Sequence, residues 1–396
     1  MKVIQINAVC GQGSTGKICV AISNLLNENR IENYIFYSSG KSPHPNAILC
    51  SNKFYTKLQA GKSRILGNYG FNSIKETKKM IALMEKICPD IVHLHNIHGH
   101  DCHLELLFSY LKSRKIKVFW TFHDCWAFTG YCTHFMFEKC EKWKTSCSNC
   151  PQKNKYSWIF DRSNELYCRK KAAFAGADLT IITPSQWLAD IVSQSFLKDY
   201  PVKVIHNGID LDIFKPSTSD FRNKYSIPET THIVLGVAAC WDVRKGLDVF
   251  IELSQRLNKE QYQIVLVGTN ERVDQLLPKD IISIHRTNNQ QELASIYSAA
   301  DVFVNPTRED NYPTVNMEAI ACGTPVVTFR TGGSPEVINE QTGMVVDCDD
   351  VDAMEREIIH LCNITNQVEE KCVAYAGNFN KNDRFADYLR LYGGDT

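Results

Sequence analysis

Short apolar runs alternate with segments of helical periodicity along nearly the whole chain of 396 residues. Apolar runs between turn signals are typical of buried strands, and helices between successive strands indicate parallel sheets covered on both faces. The alternation occurs twice, so we predict an α/β protein with two doubly wound, Rossmann-like domains. The predicted strands cover residues 2–9, 34–38, 90–95, 117–122, 179–183, 202–206, 232–239, 262–267, 281–284, 301–305, 325–329 and 343–346. The predicted helices include residues 17–29, 102–113, 247–258, 290–300 and 314–322.

The two halves meet near an Asn-Gly turn that is followed by a polar stretch. We predict an N-terminal domain over residues 1–206, with a cysteine-rich insertion at 125–155, and a second domain over residues 207–378. Residues 379–396 have a helical period and are expected to pack back towards the first domain. Open parallel sheets bind ligands at the carboxyl ends of their strands, so we expect the site in an interdomain cleft.

Charge and hydropathy argue against a nucleic-acid-binding protein and against a membrane-spanning one. Lys+Arg and Asp+Glu number 44 each, so no global field attracts the chain to nucleic acid, which we do not expect as a partner. No uncharged apolar run approaches the roughly 20 residues that span a bilayer. The first apolar run is short and interrupted by Gln5 and Asn7, which favours a strand over a signal peptide. We therefore expect a soluble, cytoplasmic protein.

A glycine-rich turn, Gly11-Gln-Gly-Ser-Thr-Gly-Lys17, follows the first predicted strand. It nearly matches a P-loop, but Ile18 replaces the hydroxyl residue that would hold Mg²⁺, which disfavours an NTPase. Glycines permit a tight turn, and a helix N-terminus offers backbone N–H groups to an anion. We therefore name Gly13, Ser14 and Gly16 as candidate phosphate contacts; a turn without a ligand is the alternative.

Two motifs in the second half combine charge with strand ends. Arg244 and Lys245 follow a predicted strand, where two cations could hold a diphosphate, although such a pair is also common on solvated surfaces. In the stretch 305–329, Pro313 can occupy the first turn of a helix that Gly323 ends. Asp310 then precedes this helix. Glu318 lies one turn inside, and carboxylates of both kinds can accept hydrogen bonds from sugar hydroxyls. A capping acid and a surface glutamate are the alternative.

Further turns and histidines complete the candidate chemistry. Residues 330–336 form another glycine turn at a helix start. The first half contains His93-Leu-His95-Asn-Ile-His98 and, after the next strand, His123-Asp124. Alternate residues of a strand point to opposite faces, which disfavours a histidine metal site. His123 is the better candidate for contact with a reacting sugar, since its strand should end at the cleft.

These motifs, in this order, resemble the retaining glycosyltransferases of family 4, the bacterial group 1 enzymes of capsule, exopolysaccharide and O-antigen assembly. The most specific stretch is Glu318-Ala-Ile-Ala-Cys-Gly-Thr-Pro-Val-Val. The resemblance implies the GT-B fold, an acceptor-binding first domain and a second domain that holds the nucleotide-sugar donor. It implies that Arg244 and Lys245 neutralise the donor diphosphate and that Glu318 binds ribose hydroxyls. The family's first glutamate falls at Asp310, with Glu309 one position off, so both are named for the donor sugar.

The resemblance also implies the reaction. A sugar moves with retained configuration from a UDP- or GDP-sugar to a glycan or polyprenyl-linked acceptor, by front-face substitution, with no catalytic metal expected. His123 would orient the acceptor or the reacting sugar. The rival functions are a nucleotide-sugar epimerase of the same fold, a P-loop phosphotransferase and an inactive zinc-containing scaffold. The donor-binding set expected in the loop and helix after Asp310 comprises Asn311, Tyr312, Thr314, Val315 and Glu318.

Two features lie outside the donor site. Cys132, Cys140, Cys147 and Cys150 could hold a structural zinc ion; unliganded thiols and disulfides are the alternatives. Segment 53–86 carries eight basic residues against Glu76 and Glu85, and such patches either contact anionic membranes or form solvated helix faces. Relatives that use lipid-linked acceptors favour peripheral contact with the inner face of the cell membrane. The basic residues are Lys53, Lys57, Lys62, Arg64, Lys75, Lys78, Lys79 and Lys86.

Overall fold

The computed structural model describes residues 1–98, 100 and 102–393. The chain divides into two compact units. Unit 1 comprises Met1–His206 and Phe385–Thr396, and unit 2 comprises Asn207–Arg384. The last three residues of the predicted C-terminal segment lie outside the described part of the chain, as does the side chain of Lys53.

Unit 1 contains a seven-stranded parallel sheet in the order β3-β2-β1-β4-β5-β6-β7. Its strands are β1 (Lys2–Val9), β2 (Glu32–Ser39), β3 (Ala47–Leu49), β4 (Ile91–Leu94), β5 (Lys117–Thr121), β6 (Leu179–Thr183) and β7 (Val202–Val204). The helices of unit 1 that precede unit 2 in the chain are α1 (Gly13–Glu28), α2 (Lys53–Leu66), α3 (Ile74–Ile87), α4 (Leu104–Ser113), α5 (Lys153–Tyr156), α6 (Ser163–Phe174) and α7 (Gln186–Val192).

Unit 2 contains a six-stranded parallel sheet in the order β10-β9-β8-β11-β12-β13. Its strands are β8 (His232–Val237), β9 (Tyr262–Val267), β10 (Ile282–Ile284), β11 (Val302–Asn305), β12 (Val326–Phe329) and β13 (Gly343–Val346). The helices are α8 (Phe221–Lys224), α9 (Leu247–Arg256), α10 (Glu271–Asp274), α11 (Gln290–Ala299), α12 (Thr314–Ala321) and α13 (Val351–Ala376).

The last helix, α14 (Lys381–Gly393), begins in unit 2 and continues into unit 1. Its apolar face enters the core of unit 1, where Phe385, Tyr388 and Tyr392 are buried in one cluster with Val3 and Phe119. The aromatic residues of this helix, which recur every three or four positions, thus form its buried face.

The predicted fold class is confirmed: both sheets are parallel and doubly wound. All twelve predicted strands are present, and the structure adds β3, which has three residues and no fully buried side chain. In unit 2 the order is that of a Rossmann sheet, which reverses direction between β8 and β11. In unit 1 the same reversal lies between β1 and β4. None of the helices in the described residues combines the length and apolar character that a membrane span requires.

Candidate functional site

The reversal point of unit 2 brings two predicted motifs into contact. After β8, a 3₁₀ turn over Val243–Lys245 is capped by Asp242, whose carboxylate accepts a hydrogen bond from the Lys245 N–H at 2.9 Å. Gly246 follows with φ +78°, and a Cβ there would lie 2.5 Å from Pro306, just after β11. Only glycine fits at this crossing of two backbones.

Arg308 fastens the loop after β11 to the segment after β8. Its N–H donates to the Arg244 carbonyl at 2.9 Å, and its guanidinium makes two 2.8 Å hydrogen bonds to the Asp248 carboxylate and one of 2.6 Å to Asp349. The Asp248 pair, against some cost of burial, raises the pKa of Arg308. Sequence reasoning missed this clamp, although Arg308 stands in the predicted loop beside the acid pair.

The central contact joins the candidate cation to a candidate carboxylate. The Nζ of Lys245 lies 2.7 Å from Oδ2 of Asp310, and both side chains are about one-quarter exposed. The Asp310 carbonyl in turn accepts from the Gly333 N–H at 3.3 Å, and a Cβ on Gly332 would lie 1.7 Å from that carbonyl oxygen. The structure therefore brings together the cation turn, the acid loop and the glycine turn of residues 330–336.

The other candidate residues of unit 2 flank Lys245 and Asp310 in the sequence. Arg244 is 28% exposed, with Nε 3.9 Å from Asp242. Glu309 is 6% exposed, so Asp310 is the more accessible acid of the pair. Asn311 and Tyr312 are buried, and burial raises the pKa of the Tyr312 hydroxyl.

Helix α12 presents the remaining donor candidates. Pro313 immediately precedes this helix instead of occupying its first turn, because its ψ of 112° is extended; that detail of the prediction was wrong. Thr314 and Val315 form the partly buried first turn. The Glu318 carboxylate accepts a hydrogen bond of 3.2 Å from the hydroxyl of Tyr297, which is fully buried.

The glycine turn of unit 1 forms as the sequence predicts, but α1 begins at Gly13, four residues before the predicted start. The Gly11 N–H donates to the Gly16 carbonyl at 3.0 Å. A Cβ on Gly16 would meet the Gly11 nitrogen at 3.1 Å and the Val9 carbonyl at 3.3 Å, so the backbone packs tightly against this glycine. Gly13 and Ser14 are exposed at the N-terminus of the helix.

The predicted histidines gather at the carboxyl ends of β4 and β5. His95 Nδ1 lies 3.1 Å from His123 Nε2, and the His93 ring contacts the His95 ring with their centroids 4.1 Å apart and an interplanar angle of 38°. Beside them, His98 Nε2 lies 2.8 Å from Asp124 Oδ2. Sequence reasoning missed Gln5, whose Oε1 lies 3.1 Å from His95 Nε2.

Burial keeps the rings of His93, His95 and His123 neutral. Desolvation lowers the pKa of His93 to about 3 and that of His123 to about 4, and it lowers the pKa of His95 as well. Asp124 behaves differently: burial opposes its ionisation, but His98 and the Trp126 N–H outweigh it and bring its pKa to about 2.

The four candidate zinc ligands of the insertion, Cys132, Cys140, Cys147 and Cys150, line a single cavity together with Trp143. None of these four cysteines forms a disulfide, so the disulfide alternative is not realised. Burial raises the pKa of Cys147 and of Cys150 to about 11, which keeps both as thiols at neutral pH. Across the described residues, no three or more His, Cys, Asp or Glu side chains are arranged to hold a metal ion.

Comparison with known families decides the classification. The sequence model described as "Glycosyltransferase Family 4" matches residues 16–213, half of the chain, and that described as "Glycosyl transferases group 1" matches residues 231–363. The chain belongs to glycosyltransferase family 4. The predicted family and enzyme class are therefore confirmed.

Relatives and solved structures agree with this family 4 assignment. The putative colanic acid biosynthesis glycosyl transferase WcaC of Escherichia coli (strain K12) is 22% identical over 92% of this chain and 90% of its own. An uncharacterized 41.2 kDa protein in the cps region of Klebsiella pneumoniae is 23% identical over 95% and 96%.

Solved GT-B enzymes share the fold. A sucrose-phosphate synthase from Thermosynechococcus elongatus matches with a TM-score of 0.71, 19% identity and coverage of 99% and 98%. The Anabaena protein HepE, solved in complex with UDP-glucose, matches with a TM-score of 0.69, 16% identity and coverage of 99% and 100%.

Proposed function

We propose that this family 4 glycosyltransferase moves a sugar, with retained anomeric configuration, from a UDP- or GDP-sugar to a glycan or polyprenyl-linked acceptor in capsule, exopolysaccharide or O-antigen assembly. The relatives named for colanic acid biosynthesis and a cps region support the pathway class, and the HepE complex supports a nucleotide-sugar donor. The observation that carries the proposal is the 2.7 Å contact of Lys245 with Asp310 at the reversal point of unit 2.

Charge neutralisation is the chemical core of the proposed reaction. The bond from the sugar's anomeric carbon to the diphosphate oxygen breaks, the acceptor oxygen bonds to the same face, and its proton passes to the departing phosphate. Negative charge grows on the diphosphate, where Arg244 and Lys245 stabilise it. Asp310 holds Lys245 in place before the donor binds and then hydrogen-bonds the donor sugar, with Glu309 as the second acid of the pair.

The remaining candidates bind parts of the donor. Glu318, oriented by the buried Tyr297 hydroxyl, accepts hydrogen bonds from the ribose. Residues 311–315 offer polar groups and backbone N–H groups at the start of α12. In unit 1, Gly13 and Ser14 offer an exposed helix N-terminus, and the buried Gly16 allows the tight turn before it. His123 contacts the reacting sugar or the acceptor.

Thermal-shift measurements with UDP-, GDP- and ADP-sugars, followed by a transfer assay, test this proposal. Lys245→Ala and Glu318→Ala should each lower the donor-induced shift and transfer at least about tenfold, the loss expected for one charge-assisted contact. Lys259→Ala is the control, because Lys259 is 63% exposed and paired with Asp280. A P-loop phosphotransferase would instead show Mg²⁺-dependent nucleotide hydrolysis that Lys17→Ala abolishes, and that result would contradict a transferase.

We also propose peripheral contact with an anionic membrane through α2 and α3. Phe54 and Leu58 of α2 are 79% and 57% exposed, and among the described residues six lysines of these helices form no ion pair with a carboxylate. Apolar side chains beside cations are typical of interfacial helices. The six are Lys57, Lys62, Lys75, Lys78, Lys79 and Lys86.

Co-sedimentation with phosphatidylglycerol vesicles tests the membrane contact. Charge reversal at three of the lysines (75, 78 and 79) together should release the protein from the vesicles. Reversal of the exposed Lys198, Lys203 and Lys371 should have little effect. Equal binding by both triple variants would refute the contact.

The cysteine cavity is proposed to bind one structural zinc ion. Its four thiols form no disulfide and line one cavity, and the Gly130 N–H donates to Cys147 Sγ at 3.2 Å. Zinc would replace the thiol protons and draw the sulfurs together. Metal analysis of protein purified under reducing conditions should give about one zinc per chain, and its absence would remove the proposal.

A further inference from the structure

A buried polar chain leads from β1 to the candidate substrate contact His123. Gln5 is fully buried, and its Nε2 donates to the Cys19 carbonyl of α1 at 3.0 Å. A carbonyl oxygen only accepts hydrogen bonds, so the amide NH₂ must face Cys19. The amide oxygen of Gln5 therefore faces His95.

The orientation of this amide determines where the hydrogens of both histidines lie. Gln5 Oε1 lies 3.1 Å from His95 Nε2 and can only accept, so His95 carries its hydrogen on Nε2. Burial keeps His95 neutral, which leaves a lone pair on Nδ1. That nitrogen lies 3.1 Å from His123 Nε2, so His123 must donate, with its own hydrogen on Nε2.

The surroundings support a fixed arrangement. The His95 and His123 rings are nearly parallel, with an interplanar angle of 15°. The ring of His93, which contacts that of His95, has its nitrogens 2.5 Å from the Tyr392 hydroxyl and 2.8 Å from that of Thr121, so it is held by its own hydrogen bonds. His95 is 1% exposed, whereas His123 is partly exposed.

We propose that Gln5 and His95 are positioning residues that hold His123 in its Nε2–H tautomer, so that Nδ1 accepts a hydrogen bond from a substrate hydroxyl. The part that concerns substrate rests on the proposed transferase function. The opposite tautomer would present a donor at Nδ1 and would leave two lone pairs facing each other between the histidines. His123 thereby acts as a hydrogen-bond acceptor at Nδ1, and the glutamine in the middle of β1 is explained by its contact with His95.

Nitrogen-15 NMR of histidine-labelled, full-length protein at pH 7 tests the tautomer without any substrate. The His123 signals are assigned by their loss in His123→Gln. We expect the proton on Nε2 in the wild type. A proton on Nδ1, or an equal mixture, would overturn the proposal. This result does not depend on whether a donor and acceptor have been found.

Kinetics of a matched pair test the role. His95→Asn keeps an acceptor near the position of Nδ1, whereas His95→Leu removes it. We expect kcat to fall at least about tenfold in His95→Leu, the loss typical of one hydrogen bond, and to recover within about threefold in His95→Asn. The KM for the donor should change little in both. Equal kcat values for the two folded variants would refute the role, and absence of transfer in the wild type would count against the transferase function alone.

Discussion

The buried histidines of unit 1 should make its free energy of unfolding fall steeply as the pH is lowered below about 6.5. The folded pKa is about 3 for His93 and about 4 for His123, against 6.5 for an unperturbed imidazole. The unfolded chain therefore binds protons first as pH falls, so stability present above about pH 6.5 is lost as the pH drops towards 4. Each group contributes a slope of about 1.4 kcal/mol per pH unit, or about 2.5 kcal/mol per histidine by pH 4.5. The two together approach the whole stability of a typical domain.

Urea unfolding at a series of pH values measures this effect. Five of the six tryptophans lie in unit 1, and Trp120, Trp126 and Trp143 are buried there, so fluorescence reports mainly on that unit. His93→Gln should flatten the slope between pH 6 and pH 4.5 by about one proton. His360→Gln, which removes an exposed imidazole from α13, is the control. If wild type and His93→Gln lose stability in parallel, the histidine does not unfold the protein and the reasoning fails.

Three further predictions follow from packing and charge. In Gly332→Ala the new Cβ would lie 1.7 Å from the Asp310 carbonyl oxygen, so UDP-sugar binding measured by calorimetry should weaken at least about tenfold. Gly377→Ala is the control, because a Cβ there has no neighbour within 4 Å, and it should leave UDP-sugar binding unchanged. Arg308→Lys cannot form the paired hydrogen bonds to α9 and should cost about 1–3 kcal/mol of unfolding free energy in urea melts. Burial lowers the pKa of Lys170 to about 7, so unfolding at pH 7 and pH 9 should show the wild type gaining about 2 kcal/mol relative to Lys170→Met, since the unfolded lysine stays charged.

Much of the fold follows from the sequence because each strand of a doubly wound sheet is a short apolar run between turn signals. The run before Arg244 and the run before Asp310 were both predicted as strands. What places their ends side by side is the strand order, in which β8 pairs with β11 although β9 and β10 intervene in the chain. The apolar pattern does not contain that order, which the structure shows.

Contacts that depend on long side chains were less predictable. Arg308 reaches Asp248 and Asp349, which lie 60 and 41 positions away in the chain. Nothing in the local pattern distinguishes such an arginine from one on a solvated surface. The clamp has a physical role only once Gly246 allows the backbone after β8 to approach Pro306.

Buried polar residues in a central strand are the signal that sequence reasoning could have used. Gln5 interrupts the first apolar run, and this was reason enough to prefer a strand over a signal peptide. A glutamine at the centre of a parallel sheet loses hydrogen bonds to water, a loss of roughly 1–3 kcal/mol unless partners replace them. A first strand that stays buried must therefore place partners on its neighbours. The histidine-rich end of β4 has side chains suited to the task, and the β1–β4 register sets Gln5 opposite His93, two residues before His95. Gln5, which interrupts the apolar run of β1, and the histidines at the end of β4 thus belong to one hydrogen-bonded group that joins the two strands.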